Sequence, residues 1–343
     1  MTTTTAPRQK QGSTRQKKAR AKPAGRTASS RAKVKRSANE TEKAIRHLRV
    51  DANGTSFHVA VASPAPSDST EPPPEIFCLH GFPEGWQSWR QLMDYLPEAK
   101  IYAPDLRGYP TSEYPRNGYD VFTLTDDIRE LMARLDVKNP ILLTHDWGGA
   151  LGWIFAHRFS DLISRLIVVN CTHPKTLVRA VFQLDDWQTF RIPWVLPFQP
   201  PVIPELLLTT AIGRRLLELS FTLREGPAGN MNRKLVREMV DRYQHRRDLR
   251  GAIEYYREIV KTLINPAARK MLEDVYQQPI QTPTTLVWGM RDLALSSKVA
   301  QKSEQDAGCP VEWRPLSDIG HFVDLEAPEL LAHEVRRVLK KVS

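Results

Sequence analysis

Five short runs in this chain join an ionisable side chain to a glycine. They are His80-Gly81-Phe82-Pro83, Asp105-Leu106-Arg107-Gly108, His145-Asp146-Trp147-Gly148-Gly149, Gly289-Met290-Arg291-Asp292 and Gly320-His321. The third is the most informative, because an apolar run passes into a helical pattern through a two-glycine turn with Asp146 at its apex. A strained strand-to-helix turn of this kind lifts one side chain above a sheet, and the helix N-terminus behind it favours a negative group. Serine there would give esterase chemistry. A carboxylate is a modest nucleophile, suited to displacing a leaving group from sp³ carbon, and the ester it forms must then be cleaved by water. Cleavage requires a base, which His321 supplies, with Asp292 fixing the imidazole tautomer and stabilising its cation. An N-cap role for Asp146 would need no double glycine behind it.

These residues need a scaffold that brings distant loops to one edge. Strand patterns run over Phe57–Ser63, Glu75–Leu79, Lys100–Ala103, Pro140–His145, Leu162–Asn170, Thr284–Trp288 and Val311–Pro315. Helical patterns fall at Trp86–Leu96, Thr123–Leu135, Gly148–Phe159, Ser296–Asp306 and Pro328–Val342. Alternation of this kind predicts an α/β fold, a mostly parallel sheet with helices on both faces and function at the C-terminal strand ends. The chain order nucleophile, acid, histidine is that of the α/β-hydrolase fold. Residues 172–280 break the rhythm with helical patterns and prolines only, and read as an inserted helical lid between core segments 46–171 and 281–343.

The runs HGFPEGWQSWR (80–90), DLRGY (105–109), HDWGGALGW (145–153) and GHFVDLEAPE (320–329) closely resemble the epoxide hydrolases of the α/β-hydrolase fold. The resemblance covers residues 46–343. It implies Asp146 as nucleophile, Asp292 as acid, His321 as base, and the backbone N–H groups of Phe82 and Trp147 as oxyanion hole, with Phe82–Pro83 cis. Gly251-Ala-Ile-Glu-Tyr255-Tyr256-Arg257 looks like the family's lid motif, whose second tyrosine, here Tyr256, protonates the epoxide oxygen. Trp187, Tyr255 and Phe322 are taken as pocket residues. The implied reaction opens an apolar epoxide to a vicinal diol through an Asp ester. It needs water, and no metal or organic cofactor.

Three departures stand out. Thr144 replaces a glycine two residues before the nucleophile, and the RGYG pattern becomes Arg107-Gly108-Tyr109-Pro110. Many relatives use a second lid tyrosine early in the lid, whereas residues 172–242 here contain none. Trp187 and Gln188 are the alternative donors in the matching stretch. His80 and His145 read as turn-orienting residues, the Trp187–Trp194 cluster as packing or pocket wall, and Cys171 as a core thiol. Two other classes compete. Haloalkane or haloacid dehalogenases use the same Asp nucleophile, but Phe82 stands where an asparagine halide ligand is common, and Trp147 stands where fluoroacetate enzymes carry arginine. A non-catalytic hydrolase-like module with a working tail would not require a complete triad.

The chain has 343 residues and a net charge of +10. That charge is concentrated: residues 1–49 carry 15 Lys and Arg against Glu40 and Glu42, leaving 34 basic and 37 acidic side chains elsewhere. Residues 1–45 have almost nothing to bury and read as a disordered basic tail. It is a solvated segment, an arm binding polyanions through residues 1–40 by counterion release, or an organelle import sequence. No apolar run reaches the ~18 residues of a membrane span. Three widely spaced cysteines fit a reducing, cytoplasmic compartment.

Overall fold

The computed structural model describes residues 1–4, 45–65 and 71–341, so the expectations about the basic tail lie almost wholly outside the described residues. Eight strands are present: β1 (Ile45–Ala52), β2 (Thr55–Ala62), β3 (Glu75–Leu79), β4 (Lys100–Pro104), β5 (Ile141–His145), β6 (Arg165–Val169), β7 (Thr284–Gly289) and β8 (Val311–Leu316). They form one sheet in the order β1-β2-β4-β3-β5-β6-β7-β8. The pairings β1–β2 and β2–β4 are antiparallel, and all those from β4 to β8 are parallel.

Side chains alternate across this sheet with period two, as pleating requires. Phe77, Leu79, Leu142, Leu166, Val168, Leu286 and Trp288 enter one core. Ile76, Cys78, Ile141, Leu143, Ile167, Val169 and Val287 enter the other. Burial on both faces makes β5 a continuous buried run rather than an alternating one. Strand β1 was not marked by the sequence pattern. Its solvent face is charged, as suits an edge, and it is joined to β2 by Asn53-Gly54, both at positive φ (45° and 70°) in a tight hairpin turn.

The helix Val121–Arg134 is capped by Asp120, whose carboxylate accepts the N–H groups of Phe122 and Thr123. Two expected helices are more broken than their patterns: Trp86–Trp89 is a 3₁₀ turn before the helix Arg90–Tyr95, and the segment 296–306 forms Ser297–Ala300 and Ser303–Ala307. Between β6 and β7 the chain forms helices only, the longest being Arg246–Ile264. This helix lies on the core with its backbone close to the Arg107–Gly108 turn. A Cβ on Gly251 would come within 2.3 Å of the Gly108 Cα, and the Tyr255 hydroxyl donates to the Arg107 carbonyl at 3.1 Å. No helix among the described residues is long and apolar enough to cross a membrane.

Candidate active site

Strand β5 ends at His145, and the helix Asp146–Phe159 begins at the next residue. Asp146 has φ +48°, a left-handed conformation that is costly for a residue with a side chain. The turn closes because its neighbours are small. A Cβ on Gly148 would meet the Leu79 carbonyl at 2.2 Å, and one on Gly81 would meet the Asp146 side chain at 2.4 Å. Thr144 is accommodated without loosening the turn. Its methyl and hydroxyl fill the space over Gly152, where a Cβ would lie 2.8 Å from the methyl, and its hydroxyl donates to the Ile167 carbonyl.

The Phe82 N–H donates to Asp146 Oδ1 at 2.9 Å, in a loop whose Phe82–Pro83 bond is cis. Trp147, the other expected oxyanion donor, stands in the first turn of the nucleophile helix, where backbone N–H groups lack intrahelical acceptors. Across the turn, His321 Nε2 is 3.6 Å from Asp146 Oδ2, and His321 Nδ1 is 2.7 Å from Asp292 Oδ2. Asn170, at the end of the strand pattern before the insertion, supports Asp292. It donates to Asp292 Oδ2 at 2.7 Å, while Ala294 and Leu295 N–H groups hold Oδ1. The side chain of Asp146 remains 22% exposed, so the carboxylate faces open space rather than core.

Burial alone would raise the Asp146 pKa, but hydrogen bonding and charge from His321 outweigh it and hold it at about 2. Burial would lower His321, yet Asp292 and Asp146 push it up to about 9. At neutral pH the pair is carboxylate and imidazolium.

Beneath the triad lies a second buried set. Glu84 accepts the Gly81 N–H at 2.6 Å and lies 2.9 Å from His145 Nδ1, and His145 Nε2 reaches the His321 carbonyl at 3.1 Å. Burial opposes charge on His145, but Glu84 and Asp324 raise it to about 10. Burial and the Glu84 charge drive Asp324 well above the usual carboxylate range. This set ties the Gly81 loop to the His321 loop. Its three ligand-type side chains lie within 4.8 Å of one another, the spacing of a metal site, but Glu84 and His145 are already joined by a hydrogen bond. His80 also holds a turn, its Nε2 accepting the Leu106 N–H.

Tyr256 comes from the helix Arg246–Ile264. Its ring packs edge-on to Trp147 (4.9 Å between centroids) and Phe82 (5.8 Å), the two residues that bracket Asp146. Burial and the Asp146 charge raise its pKa, so the hydroxyl is protonated at neutral pH. The Tyr255 ring also packs on Trp147, at 5.5 Å, but its hydroxyl is occupied by Arg107. Phe322 is fully buried behind the base, edge-on to His321 at 4.9 Å. Trp187 is not brought to this group. It is 70% exposed, with its ring tilted against Phe190, while its neighbour Gln188 turns inward to bond the Ala294 carbonyl and the Ser296 N–H.

Sequence reasoning gave no role to Glu84, although it ends the HGFPE run. It also missed Glu326, whose carboxylate accepts N–H groups from Gly226, Gly320 and Phe322 and so joins the helical insertion to the base loop. The signal for Glu326 was its place in the GHFVDLE run. Trp194 was read as packing, and nothing in sequence alone sets it apart from Trp187.

The sheet order and the strand-to-helix turn at Asp146 are those of an α/β-hydrolase, and residues 74–328 match the family model of the alpha/beta hydrolase fold. The chain is 30% identical to epoxide hydrolase 3 of Xenopus tropicalis, over 86% of this chain and 77% of that protein. It is also 30% identical to epoxide hydrolase 1 of Caenorhabditis elegans, over 78% of this chain, and spans 65% of the nematode protein's length. Among solved structures, an epoxide hydrolase of Vigna radiata superposes with a TM-score of 0.70 at 24% identity, covering 87% of this chain and 98% of the other. The chain belongs to the epoxide hydrolase family of the α/β-hydrolase fold.

Proposed function

We propose that this protein hydrolyses apolar epoxides to vicinal diols in two steps. In the first, an Asp146 oxygen attacks a ring carbon, the ring C–O bond breaks, and Tyr256 gives its proton to the ring oxygen. In the second, water activated by His321 attacks the ester carbonyl, the developing oxyanion is met by the Phe82 and Trp147 N–H groups, and the diol leaves. Residues 172–280 act as the lid that carries Tyr256, with Tyr255 and Phe322 as walls.

The carrying observation is the placement of a tyrosine hydroxyl helix over the two residues that flank a carboxylate nucleophile. The electrostatics fit the sequence of events. While Asp146 is charged it helps keep His321 protonated; esterification removes that charge, so the His321 pKa falls and the imidazole becomes available as base.

Replacing His321 with glutamine should block only the second step, so the enzyme should gain the mass of intact substrate on the Asp146 peptide. In wild type, one turnover in ¹⁸O-water should put the label in the carboxylate and leave the diol unlabelled. Label in the first diol, with no adduct in the variant, would mean direct attack by water and a different role for Asp146. Halide release from a bromoalkane in preference to epoxide opening would favour the dehalogenase reading.

For residues 1–40 we retain weak, salt-sensitive binding to polyanions. Removing them should leave turnover intact, and a salt titration of binding checks the arm. The three cysteines are unpaired, which fits a reducing, cytoplasmic setting.

A further inference from the structure

The insertion offers no second tyrosine early in its chain, since residues 172–242 contain none. What lies there is Trp194, in a turn fastened to the tyrosine helix. Gln199 donates to both the Val195 and Tyr256 carbonyls. Arg257 donates to the carbonyls of Phe198 and Pro200 and pairs with buried Glu205 at 2.8 Å. The Phe198 ring packs edge-on to Tyr256 at 5.0 Å. These contacts hold the Trp194 turn against the Tyr256 helix, with the indole among the groups that act on the Tyr256 hydroxyl. On its other side, the Arg224 guanidinium lies 4.2 Å from the Trp194 ring centre. The Arg224 carbonyl meanwhile accepts the His321 N–H at 3.2 Å, so Arg224 is fixed to the base loop.

An indole N–H can only donate a hydrogen bond, whereas a phenol both donates and accepts. A cation over the indole face is attracted to the ring quadrupole.

We propose that Trp194, braced by Arg224, is a positioning residue: its N–H donates to the Tyr256 oxygen, aims the one phenolic proton at the epoxide oxygen, and stabilises the phenolate left behind. The inference rests on the epoxide-opening reading above. In ring opening the Asp146 O–C bond forms, the ring C–O bond breaks, and its electron pair takes the Tyr256 proton. The proton that His321 gives up once Asp146 is esterified restores the phenol, and the proton released by hydrolysis of the ester returns to His321, so the cycle needs no other acid. Hydrogen bonding from Trp147 and Trp194 and the Arg224 charge all act to lower the Tyr256 pKa, against the larger effect of burial. Because an indole does not surrender its proton at neutral pH, Tyr256 is the single acid of the site.

Three variants test this with a styrene-type epoxide, following adduct formation and ester decay separately. Trp194→Phe keeps the ring and loses the N–H. It should slow adduct formation roughly 10- to 100-fold, the worth of one hydrogen bond to a developing charge, with substrate affinity and ester decay unchanged. Tyr256→Phe should nearly abolish adduct formation. Adding Trp194→Tyr to Tyr256→Phe should restore it at least about tenfold, because a second acid then stands where the indole was. Unchanged ester decay shows that Trp194→Phe and the double variant are folded, and a melting curve at the wild-type temperature shows it for Tyr256→Phe. Adduct formation at the wild-type rate in Trp194→Phe, or no recovery in the double variant, overturns the Trp194 assignment while leaving epoxide hydrolysis standing. Strong activity in Tyr256→Phe alone, lost in Tyr109→Phe, would move the acid to the buried Tyr109 hydroxyl, which has no hydrogen-bond partner among the described residues. A wild type that forms neither adduct nor diol sinks the function itself, and the assignment with it.

Discussion

The elbow and the insertion solve the same problem, holding one reactive group in place, by opposite means. At the elbow, position comes from backbone. Asp146 is held at φ +48° between strand and helix, with glycines wherever a Cβ would collide. In the insertion, position comes from docking. The tyrosine helix is seated by one close glycine contact and by Tyr255 on Arg107, while the Glu326 carboxylate holds the Gly226 loop elsewhere in the insertion. The insertion also leaves Phe182, Trp187, Phe190, Leu196, Ile212 and Leu223 exposed, each by more than 60%. Backbone-held groups tolerate few substitutions around them. Docked groups tolerate many, so the Asp146 turn is written in a tighter motif than the Tyr256 helix.

The contrast can be broken at four points. Asp146→Ala should reduce turnover to background and give no adduct, with the fold retained because the carboxylate makes only one backbone hydrogen bond, from Phe82; adduct mass and a melting curve check both halves. Tyr256→Phe should lower ring opening by about 10²–10⁴-fold with ester decay spared, as single-turnover kinetics will show.

The third point is pH. His321 and His145 are raised to about 9 and 10. Their stabilisation is therefore complete below the unfolded histidine value of about 6.5 and is lost as pH rises through those values. Stability should fall across that window, by on the order of 3 kcal/mol for His321, and the melting temperature should fall with it. The fall should be shallower in Asp146→Ala, where one of the partners raising His321 is gone. A flat profile would mean that neither histidine is held as a cation. The smallest effect is expected from Gly251→Ala. The new methyl meets the Gly108 backbone and should cost about 1–3 kcal/mol, slowing ring opening more than ester decay. Equal slowing of both steps would show the insertion to be less separable from the core than its docking implies.

The core was legible because parallel strands announce themselves. Glu75–Leu79 was read to its observed bounds, and β5 and β7 to within one residue. Their ends carry the glycine turns that name the site. Strand β1 was illegible, since Arg46, His47 and Arg49 mask an edge strand whose pairing depends on β2. The insertion hid its function for another reason: Trp187 and Trp194 lie seven residues apart in one aromatic stretch, yet one faces solvent and the other Tyr256. The difference is set by buried Gln188 and by the Gln199 and Arg257 anchors, which are long-range contacts with no sequence period. Asn170 was visible as a strand-end residue, but only its 2.7 Å bond shows that it supports Asp292.

The carboxylate of Glu326 has a consequence for motion. One of its oxygens bonds Gly226 in the insertion and Gly320 beside the base, and the other bonds Phe322. A flap swinging away from this hinge would pull the imidazole with it. The insertion and the His321 loop are therefore latched to one carboxylate, and neither can shift far without the other.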